Sequence, residues 1–412
     1  MNLAEMLCYA DIAELKRIAD AYDCPSSSHS KNELIQTILS TVQRRDIMES
    51  RVGQISGSDL RFLNSLVFEN RSAYSLEELK ARALEPEAPR TDQTAGHSVA
   101  VTIPVAPAAS EGRRKRLRGK QAEEAPPPPG PEEKARMSIS RFKNYGWLFN
   151  GFSQQTRTLF QVPEDVKSRL CEALERRYQA SLLYLDEPQA YRDERSLLAG
   201  DVVHFLRYVR EQDIPITSEG VMYKRQLAQA MERLSVEEAP PTRAGWRFGY
   251  GRHFRDYPDR FSLLYDFAYY EGYIAELAEG RLTLTPEGLA IANGLVKPDP
   301  AQMYRFWLRL YKGAIPNLVS LAQWVSRLSG QWVTIASLSQ VLLPLIRPYY
   351  YDEPKDILDK RILRMLMHLG VLRWGETEDG IEVIEVTPQG RTLVAGQKLS
   401  FEDAIRFEGS SG

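Results

Sequence analysis

Cysteine and histidine are scarce in this chain, three and five among 412 residues, and neither is spaced for chemistry. Cys8, Cys24 and Cys171 lie far apart with no CxxC pair, which excludes a disulfide framework and a cysteine zinc site and leaves them as buried apolar thiols. His29, His97, His204, His253 and His368 show no H-x3-H or HExxH spacing, so no metal site is expected. His204, on an apolar helix, reads as a satisfied core residue. Long apolar runs are missing too. The stretch from Leu338 to Ile346 is interrupted by Ser, Gln and Pro well short of the ~20 residues that span a bilayer, so no membrane partner is expected. The first residues lack the basic region and cleavage site of a signal peptide, and a cytoplasmic location is the expectation. Net charge is only −2, which excludes a protein that coats nucleic acid by bulk electrostatics; any basic surface must be local. No G-x-x-x-x-G-K-[ST] loop, G-x-S-x-G elbow or G-x-G-x-x-G turn occurs. E-x-K triplets at Glu14-Leu15-Lys16 and Glu78-Leu79-Lys80 fall on helical patterns without the strand-borne Asp of a metal nuclease. No catalytic residue and no cofactor is expected, and the chain reads as a non-enzyme.

What is present is a repeated punctuation: Ile216-Thr217-Ser218-Glu219-Gly220, Leu284-Thr285-Pro286-Glu287-Gly288 and Val386-Thr387-Pro388-Gln389-Gly390. Each reads as a strand stopping at a threonine that caps a helix, with Ser or Pro at the first helical position. The last two follow Gly-containing hairpin turns at Glu279-Gly280-Arg281 and Asp379-Gly380-Ile381, where a β-wing would reverse.

The expected architecture is α+β, mostly α, with tandem winged helix-turn-helix domains after an N-terminal helical module and a disordered linker. Residues 1–84 form the helical module. Its first helix carries Ile12, Leu15, Ile18, Ala19 and Tyr22, and its second, opened by Ser30-Lys31-Asn32-Glu33, carries Leu34, Ile35, Ile38 and Leu39. This pair resembles the SAP-like helix-extension-helix module, similar in outline to the N-terminal domain of the Rho termination factor. The resemblance implies nucleic-acid binding, with Lys16, Arg17 and Lys31 as the cations. Asp23-Cys24-Pro25 stands where such modules often carry a glycine. Residues 85–137 are a Pro/Ala/Glu-rich linker holding a basic run of Arg113, Arg114, Lys115, Arg116 and Arg118. That run either sits on phosphates or is a solvated charge cluster balanced by Glu123, Glu124, Glu132 and Glu133. Residues 138–196 are a helical packing region. Residues 197–297 and 300–398 are the two winged-helix domains, and 399–412 a flexible tail.

The segment from Asp201 to Leu227, joined to Leu282-Thr283-Leu284-Thr285-Pro286-Glu287-Gly288, resembles the helicase-associated N-terminal domain of the XPB-type helicase family. The resemblance implies an accessory domain beside a DNA-remodelling ATPase, without the motor.

Two clusters carry the nucleic-acid reading. Arg243, Trp246, Arg247, Tyr250, Arg252 and Arg255 interleave cations with rings in an insertion of the first domain, where rings stack on bases and arginine neutralises phosphate. The alternative is that the rings pack inward. In the second domain Lys360, Arg361 and Arg364 lie on the helix that enters a major groove in such folds, and Arg373 opens the wing. The matching helix of the first domain, with Tyr265, Asp266, Phe267, Tyr269, Tyr270 and Glu271, is acidic and aromatic and suits a protein surface. Tyr349-Tyr350-Tyr351 is a further aromatic candidate, exposed or packed as a loop. The expected function is a non-enzymatic DNA-binding accessory protein, with DNA, single- or double-stranded, and a helicase or other DNA-processing enzyme as partners. The alternative is a protein–protein adaptor whose winged helices are docking surfaces.

Overall fold

The computed structural model describes residues 1–24, 30–69, 71, 73–84, 130–241 and 248–396. It is α+β and mostly helical. Among the described residues no helix is long and apolar enough to cross a membrane.

The N-terminal part is built from α1 (Leu3–Tyr9), α2 (Ile12–Ala21), α3 (Lys31–Val42), α4 (Arg45–Gln54), α5 (Gly57–Val67), α6 (Leu76–Ala83), α7 (Pro131–Asn144) and α8 (Glu164–Gln179), with a hairpin of β1 (Phe149–Asn150) and β2 (Phe160–Gln161) between the last two. Asp11 caps α2 by accepting the Glu14 N–H at 2.7 Å, and Leu15, Ile18 and Ala19 are buried. Ile12, at the first helical position, is exposed, because the buried stripe begins a turn later at Leu15. The helical pair is not free-standing. Trp147 Nε1–H donates to the Tyr22 hydroxyl at 3.1 Å, which donates to Tyr145 O at 2.9 Å, so α2 is tied to the end of α7. Helix α7 starts at Pro131, six residues before the expected end of the linker, because proline suits a first helical position. Residues 85–129 and 397–412 lie outside the described residues. Cys24 and Cys171 are buried as expected, whereas Cys8 near the end of α1 is exposed.

The middle of the chain forms β3 (Ala190–Asp193), α9 (Leu197–Glu211), β4 (Ile214–Pro215), α10 (Lys224–Met231), α11 (Asp259–Tyr270), β5 (Ile274–Leu277), β6 (Arg281–Leu284) and α12 (Pro286–Ala292). Its three-stranded antiparallel sheet has the order β4-β6-β5, with Ile214 and Glu276 both opposite Leu282. The last part forms α13 (Pro300–Tyr311), α14 (Leu318–Leu328), β7 (Val333–Thr334), α15 (Ile335–Leu342), α16 (Pro354–Asp356), a π-helical segment Ile357–Leu363, α17 (Arg364–His368), β8 (Leu372–Glu376), β9 (Glu382–Val386) and α18 (Pro388–Ala395). Its sheet runs β7-β9-β8, and β3 adds itself to the outer edge of β8 with Tyr191 opposite Gly375. The region expected to be a purely helical packing layer therefore donates a strand to this sheet. Asn64 of α5 joins the parts: its carbonyl accepts Ser320 Oγ–H at 2.7 Å, its side-chain oxygen accepts Trp324 Nε1–H, and its Nδ2 donates to the Tyr178 hydroxyl at 3.3 Å.

The second and third parts repeat one clasp. Helix α11 ends at Gly272 (φ 72°) and α17 at Gly370 (φ 73°), each in the left-handed region that glycine tolerates. The next residue begins the hairpin, and its carbonyl accepts the N–H of the later threonine: Thr285 N to Tyr273 O at 3.1 Å, Thr387 N to Val371 O at 2.9 Å. Each threonine hydroxyl donates back to the helix-ending glycine, at 2.6 Å to Gly272 O and 2.9 Å to Gly370 O. The same oxygen caps the next helix by accepting Gly288 N–H at 3.1 Å or Gly390 N–H at 2.8 Å. Glycine is required at both positions because a Cβ would overlap the Tyr273 or Val371 carbonyl. The hairpins between turn at Gly280 and Gly380, both at φ 75°.

The first copy of the punctuation behaves differently. Thr217 accepts the N–H of Glu219 and Val221 at 3.3 and 3.2 Å, Gly220 adopts φ 79°, and Ile216 pairs with Met222 across a tight loop. Without a proline to set the first turn, the helix begins only at Lys224, well after Ser218, the residue expected at its first position.

Candidate nucleic-acid interface

Of the candidate residues in the insertion, Tyr250 and Arg252 fold inward. Tyr250 is buried, its ring edge-on to Tyr311 at 4.9 Å. Arg252 makes a two-pronged ion pair with Glu276 on β5, at 2.7 and 2.9 Å, and lies over the Tyr269 ring at 3.7 Å. Neither is available to a phosphate. The expected interface at Tyr250 and Arg252 is thus a packing element, since Tyr250 lies against Tyr311 and Arg252 against the acid of the neighbouring hairpin. Arg255 remains exposed, its guanidinium over Phe254. Arg243, Trp246 and Arg247 lie outside the described residues, as does the run Arg113, Arg114, Lys115, Arg116 and Arg118.

The basic helix of the last part is likewise committed elsewhere. Arg361, expected on the groove face, is buried: its Nε donates to Asp352 at 2.8 Å, its Nη2 to Phe248 O at 2.6 Å, and Asp259 of α11 stands 3.4 Å away. It sits inside the π-helical segment, whose wider turn changes which residues face inward. Arg373 is held by Asp193 on β3 at 3.0 Å and Glu385 on β9 at 3.2 Å, an acidic frame that β3 completes and that the β8–β9 hairpin alone would lack. Lys360 pairs with Asp356 one turn earlier at 2.7 Å but is exposed, as is Arg364. In the N-terminal part Lys16 and Arg17 are exposed on α2, while Lys31 donates to Cys8 O near the end of α1 at 2.7 Å.

Helix α11 is walled in. Every residue from Arg260 to Ala268 is buried, with Phe267 against Phe306 of α13 at 5.5 Å. Beneath it lies a polar cluster that periodicity did not reveal. Asp266 accepts the Arg252 N–H at 3.0 Å, and burial pushes its carboxyl up to about 7. Glu276 moves the other way: burial opposes its charge, but His253, 3.8 Å away, and Arg252 hold it down at about 2. A second cluster joins the two repeated parts. Glu194, beside β3, accepts from Arg260 Nε at 3.3 Å and meets His368 Nδ1 of α17 at 2.9 Å. Arg260 Nη2 stands 2.6 Å from Asp201 of α9, an ion pair without hydrogen-bond alignment. Burial works to raise Glu194, yet the hydrogen bond and charge of His368 hold it below the usual carboxylate range. Glu238 caps α11 by accepting the N–H groups of Arg260 and Phe261, both at 2.9 Å, and burial raises its pKa. An arginine between Pro258 and the apolar run Phe261–Leu264 was the sequence signal for this network. His204, expected in the core, is half exposed at its rim, 3.5 Å from Asp201.

Comparisons with family models, with curated proteins and with solved structures find no match. Among the described residues no group of three His, Cys, Asp or Glu is placed to hold a metal ion. A cleft lined by Arg195, Leu198, Met303 and His368 has room for about one water.

What remains at the surface is an aromatic corner. Phe248, at the inner end of the insertion, has its ring 6.2, 6.1 and 5.7 Å from those of Tyr349, Tyr350 and Tyr351 and 6.0 Å from Phe254. Tyr349 is half buried, while Tyr350 and Tyr351 are 80% and 68% exposed. Arg255 is exposed with its guanidinium over Phe254, and Lys355, four residues after Tyr351, is exposed too, as are the acids Asp256 and Glu353.

Proposed function

We propose that this chain is a non-enzymatic nucleic-acid-binding accessory protein built on two winged-helix units and acting beside a helicase or another DNA-processing enzyme. The winged-helix reading draws on chain order and sheet order: helix, strand, helix, helix, hairpin in both parts, with the first strand pairing the second strand of the hairpin. The observation that carries the binding reading is the aromatic corner, a ring cluster that exposes Tyr350 and Tyr351 and carries exposed Arg255 over its Phe254. Groove reading by a third helix is not part of this proposal, since α11 is buried and Arg361 is internally paired. Fluorescence anisotropy with labelled single- and double-stranded DNA at several salt concentrations tests it. Saturable binding that weakens with salt is expected, and no binding to either form ends it.

A protein–protein adaptor is the second reading, favoured by exposed Leu289 on α12 and by Leu295 and Val296 just after it. A Leu289→Ser/Leu295→Ser variant that loses a co-purifying partner while the wild-type chain fails to bind DNA would establish the adaptor instead.

A further inference from the structure

One turn of this chain carries two large rings into solvent on a backbone that resists doing so. Tyr349 and Asp352 exchange both backbone hydrogen bonds, at 3.0 and 2.9 Å, which leaves Tyr350 and Tyr351 as the two residues of a tight turn. Tyr350 takes φ 50°, a conformation that suits glycine or asparagine and is an outlier for a bulky side chain. At 80% exposure, burial does not offset that strain. Strain of this kind collects where a side chain must be displayed.

The turn also stands on a fixed base. Asp352 closes it and receives the Arg361 Nε–H at 2.8 Å, and Arg361 in turn grips Phe248 O and lies 5.1 Å over the Tyr250 ring. Phe248 then supports the rings of the turn from below. Rings held in this way lose little freedom on meeting a flat ligand. Arg255, over Phe254, and Lys355, four residues after Tyr351, are exposed cations, but each has an exposed acid within two residues, Asp256 and Glu353, so the local net charge is small. Stacking therefore outweighs phosphate attraction there, which favours a polymer whose bases are unpaired over a duplex whose bases already stack on one another.

We infer that Tyr350 and Tyr351 form a stacking platform for the unpaired bases of a single-stranded nucleic acid, with Arg255 and Lys355 on its phosphates. This rests on the nucleic-acid reading above and names its site and ligand. The test is anisotropy of a labelled oligothymidylate and of a duplex with the full chain and with Tyr350→Asn/Tyr351→Ala, alongside thermal melting of both proteins. The expected result is tighter binding to the single strand, a shallow salt slope, and about a tenfold or greater loss in the variant. The variant's melting temperature should be unchanged or higher, because asparagine accepts the left-handed backbone. Wild-type affinity retained by the variant overturns the platform while leaving nucleic-acid binding intact. A preference of the wild-type chain for duplex also overturns it. No binding of either DNA by the wild-type chain removes the broader reading, and a protein partner lost only in the variant would then assign the corner to protein.

Discussion

The two repeated parts of this molecule share a clasp and differ in the helix that the clasp closes. Around Gly272, Tyr273, Thr285 and Gly288 and around Gly370, Val371, Thr387 and Gly390 the hydrogen bonds correspond one for one. Yet α11 is buried from Arg260 to Ala268, whereas Arg364 and Lys360 on the equivalent helix stay in solvent. Backbone geometry was conserved between the parts while the third helix was given two uses: one a core wall, the other a bracket for the aromatic corner. The helices are joined by ion pairs, Arg361 to Asp259 and the shared Glu194 between Arg260 and His368, so the parts act as one body at that seam.

The largest expected effect falls on the seam. Arg260→Leu removes the fully buried guanidinium that Glu194 and Asp201 share, leaving them the outer partners Arg192, His368 and His204, and should cost about 3–5 kcal/mol by denaturant unfolding. A loss below about 1 kcal/mol would mean that the network is solvated and the two helices are independent.

Next comes a pH effect confined to the first repeat. The Asp266 carboxyl has a folded pKa near 7 against 3.8 for the free side chain, so the folded state binds the extra proton. Its favourable contribution is full below about pH 4 and is lost as pH rises through about 7, on the order of 4 kcal/mol at most. Glu276, held down at about 2, contributes above the usual carboxylate range and loses that only in strong acid. Asp266→Asn should flatten the decline in unfolding free energy between about pH 4 and about pH 7. An unchanged slope would remove Asp266 as its source.

The clasp itself predicts matched effects. Gly288→Ala and Gly390→Ala each force a methyl into a carbonyl and should each cost about 3 kcal/mol, and a large inequality would break the equivalence of the two parts. Smallest are Thr285→Val and Thr387→Val, which remove one cap and one hydroxyl donor apiece, at about 1 kcal/mol each in thermal or chemical melts.

Much of the local structure was legible in sequence. Helix periodicity placed α2 and α3, the aromatic stretch from Tyr265 to Glu271 fell largely on α11, and the Thr-Pro-x-Gly pattern located α12 and α18. It failed at Ile216–Gly220, where serine replaces the proline that fixes the first turn and the glycine instead supports a left-handed loop. Site residues were harder to read because a basic residue on a helix looks the same from sequence whether its partner is phosphate or a distant carboxylate. Arg252, Arg361 and Arg373 each found acids 24, 9 and 180 positions away. Tyr350 and Tyr351 were visible as aromatics, but their display depends on a pairing between Tyr349 and Asp352 and on support from Phe248, a hundred residues earlier.

Hydrogen exchange of the full chain with and without single-stranded DNA addresses the central claim, that the third helices are walls of a seam and nucleic acid is met at the corner beside it. Added protection should appear at residues 248–257 and 349–355 and be absent along α11 and α17. Protection running along Arg364–His368 on addition of duplex, with the corner unchanged, would contradict it.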